Sequence, residues 1–109
     1  MRDGPDTVAA FLTALEDNYR YNHDVAFYAH AMRLHPDSLT RWTRRLVGSS
    51  AKRIISDRLC RECRKLLVEG HSTAQVAQAL GFSDPHYLSR FVRRQCGRTA
   101  SQLRRASRA

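Results

Sequence analysis

The sequence of 109 residues predicts an all-α protein of seven helices, built as two similar halves around a long central helix. Three observations carry that prediction. Apolar residues step by three and four along almost the whole chain, the spacing that lines one face of an α-helix, while strand-like alternation is nearly absent. Glycine, proline and small hydroxyl residues punctuate the pattern where helices would begin and end. One phrase also occurs twice: residues 39–48 read LTRWTRRLVG and residues 88–97 read LSRFVRRQCG, with Leu, Arg, an Arg pair and Gly at identical spacing. A phrase repeated in so short a chain marks a structural unit used twice.

The first helix is expected over residues 5–20, where Val8, Phe11, Leu12, Leu15 and Tyr19 make one apolar face and Pro5 suits the first turn. Asn22 to Asp24 interrupt the pattern and supply caps. Val25, Tyr28, Ala29 and Met32 mark a short second helix. Leu34 and His35 form a turn, and Pro36 opens a third helix that carries Leu39, Trp42 and Leu46 inward until Gly48 ends it. Ser49 or Ser50 caps the fourth, over residues 50–69. Its inward face runs Ala51, Ile54, Ile55, Leu59, Cys63, Leu66 and Leu67, and Gly70 stops it. Ser72 or Thr73 starts a fifth helix through Val76, Ala77 and Leu80, closed by Gly81. Ser83 caps the sixth, with Pro85 in its first turn, Leu88 and Phe91 inward and Gly97 at its end. Thr99 begins a short seventh helix around Leu103, and the basic tail from Arg104 is expected to fray.

The repeat extends beyond that phrase. Ala29, Met32 and Leu34 return as Ala77, Leu80 and Phe82 after 48 positions, whereas Pro36 and the stretch from Leu39 return after 49, so the second turn is one residue longer. Each unit is helix, tight turn, helix: the helix-turn-helix layout, whose second helix enters the DNA major groove. Residues 1–49 are therefore expected to form one such subdomain with its recognition helix at 36–47. Residues 50–69 form the linker helix, and residues 70–109 a second subdomain with its recognition helix at 84–96.

Turning about 100° per residue buries Leu39, Trp42 and Leu46 on the third helix and aims Asp37, Thr40, Arg41 and Arg44 outward. On the sixth it buries Leu88 and Phe91 and exposes His86, Ser89, Arg90 and Arg93. These outward residues are the expected base readers. Arginine takes guanine bidentately, Thr, Ser and His add single bonds, and Asp37 either accepts from cytosine N4 or orients Arg41. Arg45, Lys52, Arg53, Arg94 and Arg98 are expected at phosphates, together with the Thr73 hydroxyl at a helix N-terminus. A fourth helix of about 20 residues spans roughly 30 Å, close to the ~34 Å repeat of the major groove along one face of B-DNA. It is expected to hold the two readers in successive grooves.

Composition agrees. The net charge is +9, and of 19 basic residues only Lys52 and Lys65 are lysines. Arginine's planar fork matches phosphate oxygens and guanine edges, so double-stranded DNA is the expected partner. The rival from another class is a basic helical RNA-binding or ribosome-associated module, but shape reading of RNA does not need two matched faces. An enzyme is not expected, and no cofactor or metal. His23, His30, His35, His71 and His86 are scattered without forming a metal pair or a nucleophile–base set, and no glycine-rich phosphate loop occurs. Cys60, Cys63 and Cys96 are odd in number and follow no export signal, so disulfides are not expected. The C-x-x-C at 60–63 has His71 nearby but no second ligand pair, which favours two small half-buried helix residues over zinc. No run of about 18 apolar residues could span a membrane, and a cytoplasmic location is expected.

At this point the residues carry a resemblance. The stretches FYAHAMRLHPDSLTRW, DRLCRECRKLL and VAQALGFSDPHYLSRFVRRQCGRT are similar to the DNA-binding domain of the AraC/XylS transcription regulators, over roughly residues 5–106. The string A-x-x-L-G-F-S-D-x-x-Y-L-S-R-F from Ala77 to Phe91 is quite specific to that family. The resemblance implies seven helices, two helix-turn-helix subdomains bridged by the fourth helix, base reading by the third and sixth, and promoter binding that activates or represses transcription. It also makes RNA polymerase a candidate second partner. Departures are Ala100 where the family has proline, Leu103 where it has tyrosine, and Cys63 where alanine is common in the linker helix. Family members often carry an effector-binding or dimerisation domain before this module. The chain is accordingly expected to be the reading half of a longer protein, with a small stand-alone regulator as the other possibility.

Overall fold

The computed structural model describes residues 3–106, and among them the chain forms seven α-helices and no strand. These are α1 (Gly4–Asn18), α2 (Val25–Ala31), α3 (Pro36–Leu46), α4 (Ala51–Val68), α5 (Thr73–Ala79), α6 (Pro85–Cys96) and α7 (Ala100–Ala106). The chain divides into two compact units, one up to Ser56 and one from Asp57, so the division falls inside α4.

In the first unit α1 packs on α3, and α2 closes against both. Asp3 caps α1 by accepting the Asp6 amide at 2.9 Å, and the helix ends at Asn18, two residues before its expected end. The core gathers Val8, Phe11, Leu15, Tyr19, Tyr28, Ala29 and Leu39. Phe11 and Tyr28 meet edge to face at 5.5 Å, and both are fully buried. Each such ring is worth roughly 1.5–3 kcal/mol of burial. The Tyr28 hydroxyl donates to the Asn22 carbonyl at 2.7 Å, so this large residue goes inside without stranding its polar end. Leu12, expected inward, is 42% exposed on the flank of the stripe.

α3 is turned relative to its expected face. Leu39 is fully buried, but Leu46 is 46% exposed and Trp42 only half-buried. Thr43 takes the inward place at 0% exposure, its hydroxyl donating to the Thr40 carbonyl at 3.1 Å. Trp42 instead lays its ring against the start of α1, where Gly4 is buried and a Cβ would run into the indole.

In the second unit the later turns of α4, with α5, α6 and α7, enclose Leu59, Cys63, Leu67, Val76, Leu80, Phe82, Leu88, Phe91, Val92 and Leu103. Ser72 starts α5 with a reciprocal capping box to Gln75, and Thr99 and Gln102 make the same pair of bonds at the start of α7. Asp84, not Ser83, caps α6, accepting the Tyr87 amide at 2.8 Å. Arg104, expected in a frayed tail, lies in α7 and reaches Thr73 Oγ1 at 2.9 Å; residues 107–109 of that tail lie outside the described residues. Two charged residues that the apolar pattern did not place inside are Arg58 and Glu62, paired at 3.5 Å with almost buried side chains. Burial, and then Glu62, pushes the thiol of the neighbouring Cys63 up to about 12.

The cysteines correct the sequence reading. Cys60 and Cys96 form a disulfide across a Cα–Cα separation of 5.6 Å, and the free cysteine is Cys63. Parity and spacing along the chain could not reveal this. The pair forms because the last turn of α6 comes back beside the middle of α4, within the reach of a bridge.

Candidate nucleic-acid interface

Both units build the same turn. After α2, Met32 caps the helix, Arg33 takes the left-handed conformation at φ 57°, and the Leu34 amide returns to the Ala29 carbonyl at 2.8 Å. After α5, Leu80, Gly81 at φ 74° and Phe82 repeat the pattern, with the Phe82 amide on Ala77 at 2.9 Å. Each turn then leads into a helix beginning with proline. The residue before that proline caps it, His35 through Nδ1 in the first unit and Asp84 in the second.

That common frame gives α3 and α6 corresponding outward positions: Asp37 with His86, Thr40 with Ser89, Arg41 with Arg90, Arg44 with Arg93 and Arg45 with Arg94. On α3, Asp37, Arg41, Arg44 and Arg45 are exposed, Thr40 is half-buried, and the five line one open depression. Three guanidiniums against one carboxylate leave it positive. The Asp37 amide donates to His35 Nδ1 at 3.1 Å, which occupies that nitrogen's lone pair. The 3.7 Å approach of the Asp37 carboxylate to the same atom is therefore proximity, not a hydrogen bond. On α6, His86, Ser89, Arg90, Arg93 and Arg94 are all exposed, and no carboxylate stands among them.

The other expected residues divide. Lys52 and Arg53 are exposed in the first turn of α4, where Ser50 caps by accepting the Arg53 amide at 3.1 Å. Arg98 is exposed just past α6. Thr73 is half-buried, and its hydroxyl oxygen already accepts from Arg104, which leaves its proton for another partner.

Two aromatic residues on these faces support arginines, contacts that apolar periodicity does not show. Arg45 lies over the Trp42 ring at 5.8 Å, and Arg90 over the Tyr87 ring at 5.9 Å. Stacking restricts where each guanidinium can point and leaves its N–H edge free. The signal was an aromatic residue three positions before an arginine, one helical turn away. Apolar periodicity alone assigns Trp42 to the core and Tyr87 to neither face. Tyr87 is 46% exposed and rests on Phe82, 5.7 Å away. Among the described residues no group of three or more His, Cys, Asp or Glu is placed to hold a metal, and no helix is long and apolar enough to cross a membrane.

Known proteins share this fold. The sequence pattern of the family described as "Helix-turn-helix domain" matches residues 28–106. The C-terminal domain of AraT, a response regulator from Geobacillus stearothermophilus, superposes with a TM-score of 0.82 at 18% identity, over 92% of this chain and 84% of that one. A Chromobacterium violaceum transcriptional regulator of the AraC-type DNA-binding domain-containing proteins gives 0.77 at 19% identity, covering 93% and 91%. A DNA-binding transcriptional dual regulator from Escherichia coli K-12 gives 0.72 at 18%, covering 99% and 95%. At these identities the structures establish a common fold. No curated protein sequence matches the chain.

Proposed function

Because the chain belongs to the helix-turn-helix domain family, in its AraC type of DNA-binding domain, we propose that it reads a specific double-stranded DNA sequence by setting α3 and α6 into successive major grooves. The observation that carries this reading is the matched set of five outward positions on two helices entered through the same turn. Asp37, Thr40, Arg41 and Arg44 read bases in one half-site, and His86, Ser89, Arg90 and Arg93 in the other. Arg45, Lys52, Arg53, Thr73, Arg94 and Arg98 hold phosphates and set the register. Residues 50–69 act as the spacer between the readers.

The outcome is control of transcription at a promoter in the cytoplasm, with RNA polymerase as the second partner and an effector-binding or dimerisation domain elsewhere in the protein. The chain performs no catalysis in this role.

Selection of bound sites from random DNA, followed by footprinting, tests the reading. Two protected patches centred about 10–10.5 base pairs apart are expected, with the selected site preferred over random DNA by ~10³-fold or more. Protection of a single groove would overturn the two-reader arrangement. An RNA competitor that displaced the selected site at equal concentration would favour a basic RNA-binding module instead.

A further inference from the structure

We propose that Cys60 and Cys96 are a reversible thiol–disulfide site that closes the second helix-turn-helix into a covalent ring and so tunes how firmly α6 is held. The bond joins the middle of α4 to the last residue of α6, 36 positions further along the chain. The ring it closes contains the end of α4, all of α5, the turn and the whole of α6. Both bonded cysteines are half-buried, whereas Cys63 is fully buried. Cys63 does not compete for the bond, since its thiol is held far from ionisation and the thiolate is the reacting form.

The site exchanges with low-molecular-weight thiols and disulfides of the glutathione class. One of the two protein thiolates attacks the small disulfide and expels one small thiol, giving a mixed disulfide. The other then attacks the protein sulfur of that bond and expels the second small thiol. Two protons and two electrons leave the cysteine pair, and one small disulfide becomes two thiols. Excess small thiol reverses both steps.

The functional consequence rests on the reading of α6 as a recognition helix. Cys96 closes the turn that carries Arg93 and Arg94, and Gly97 follows it in the left-handed conformation with Arg98 beyond. Opening the bridge frees that turn from α4 while leaving Leu88, Phe91 and Val92 in the core. The oxidised form is therefore the tighter binder, through its second half-site.

The test uses the full chain equilibrated across a series of reduced-to-oxidised glutathione ratios, with thiols counted by alkylation and mass spectrometry. Two alkylated cysteines, Cys60 and Cys96, should appear together as the ratio rises, with Cys63 modified only after denaturation. Closing a ring of this size predicts a melting temperature at least about 10 °C higher in the oxidised form. Affinity for a selected site should fall about 3- to 10-fold on reduction, and altering the α6 half-site should reduce that difference. C60S should fix the reduced behaviour, and C63S should keep the full response. Equal melting temperatures in the two forms, or a bridge that formed through Cys63, would overturn the proposal. If neither form bound DNA selectively while the paired titration and melting shift stood, the redox site would hold and the DNA reading would fail.

Discussion

At the residue scale, the two units place different amino acids under the same constraint, and the differences make quantitative tests. Arg33 and Gly81 occupy the same left-handed position of the turn. A side chain there costs about 1–3 kcal/mol, partly offset by the entropy that glycine loses on folding. Arg33→Gly should therefore raise the stability of the first unit by roughly 1 kcal/mol, and Gly81→Ala should lower that of the second by about 1–2 kcal/mol, both read by chemical denaturation. Thr43 holds the buried place that Val92 holds in the second unit. Its hydroxyl bonds only to its own helix, so Thr43→Val should be neutral or stabilising by up to about 1 kcal/mol. Among the outward residues, Arg90→Ala should cost about 1–3 kcal/mol of specific binding and relax preference at one base pair. Arg94→Ala should weaken all sequences alike and flatten the salt slope by about one. Identical behaviour of the two variants in competition titrations would abolish the division between readers and phosphate anchors.

At the element scale, the rotation of α3 changes what Trp42 does. It is the sole tryptophan, half-buried on Gly4 and stacked by Arg45, not a core anchor. Trp42→Ala should cost less than the ~3–5 kcal/mol of a fully buried aromatic, leaving cooperative melting intact. Gly4→Ala should displace the indole, seen as a red shift of the intrinsic fluorescence. An unchanged spectrum would mean that the ring does not rest on the start of α1. Every helix start but that of α2 has a side-chain cap, and those of α5 and α7 are reciprocal pairs, Ser72 with Gln75 and Thr99 with Gln102. Ser72→Ala should remove about 1 kcal/mol.

At the scale of the whole molecule, charge and pH give the remaining tests. If Arg45, Lys52, Arg53, Arg94 and Arg98 each neutralise one phosphate, the logarithm of affinity should fall with that of salt at a slope of about −4 to −5. A slope near −1 would remove most of them from the backbone. Burial pushes Tyr28 up from 10.0 to about 12 and Cys63, with Glu62 adding, from 9.0 to about 12. In each case the neutral form is favoured by the fold, and the unfolded chain loses its proton first. Stability is therefore fully present below about pH 9 and declines as pH rises from there towards 12. Tyr28→Phe should flatten the decline above pH 10 in the first unit, and Cys63→Ala that above pH 9 in the second, measured by alkaline denaturation.

Much of this is legible in the sequence, because helices and their ends obey local rules. The three-and-four spacing, the prolines at the starts of α3 and α6 and the repeated phrase place all seven helices within a few residues. The same periodicity exposes Arg41, Arg44, Arg90 and Arg93, since a helix wheel needs only the sequence. What packs on what was decided elsewhere. Leu46 points to solvent and Thr43 to the core because the neighbouring helices choose which side of α3 they cover. Trp42 and Tyr87 became arginine supports through contacts that hydrophobicity alone does not rank. Cys60 met Cys96, 36 positions away, because the fold returned one helix end to the middle of another. Periodicity is a property of neighbours along the chain, and proximity between distant residues exists only once the chain has folded.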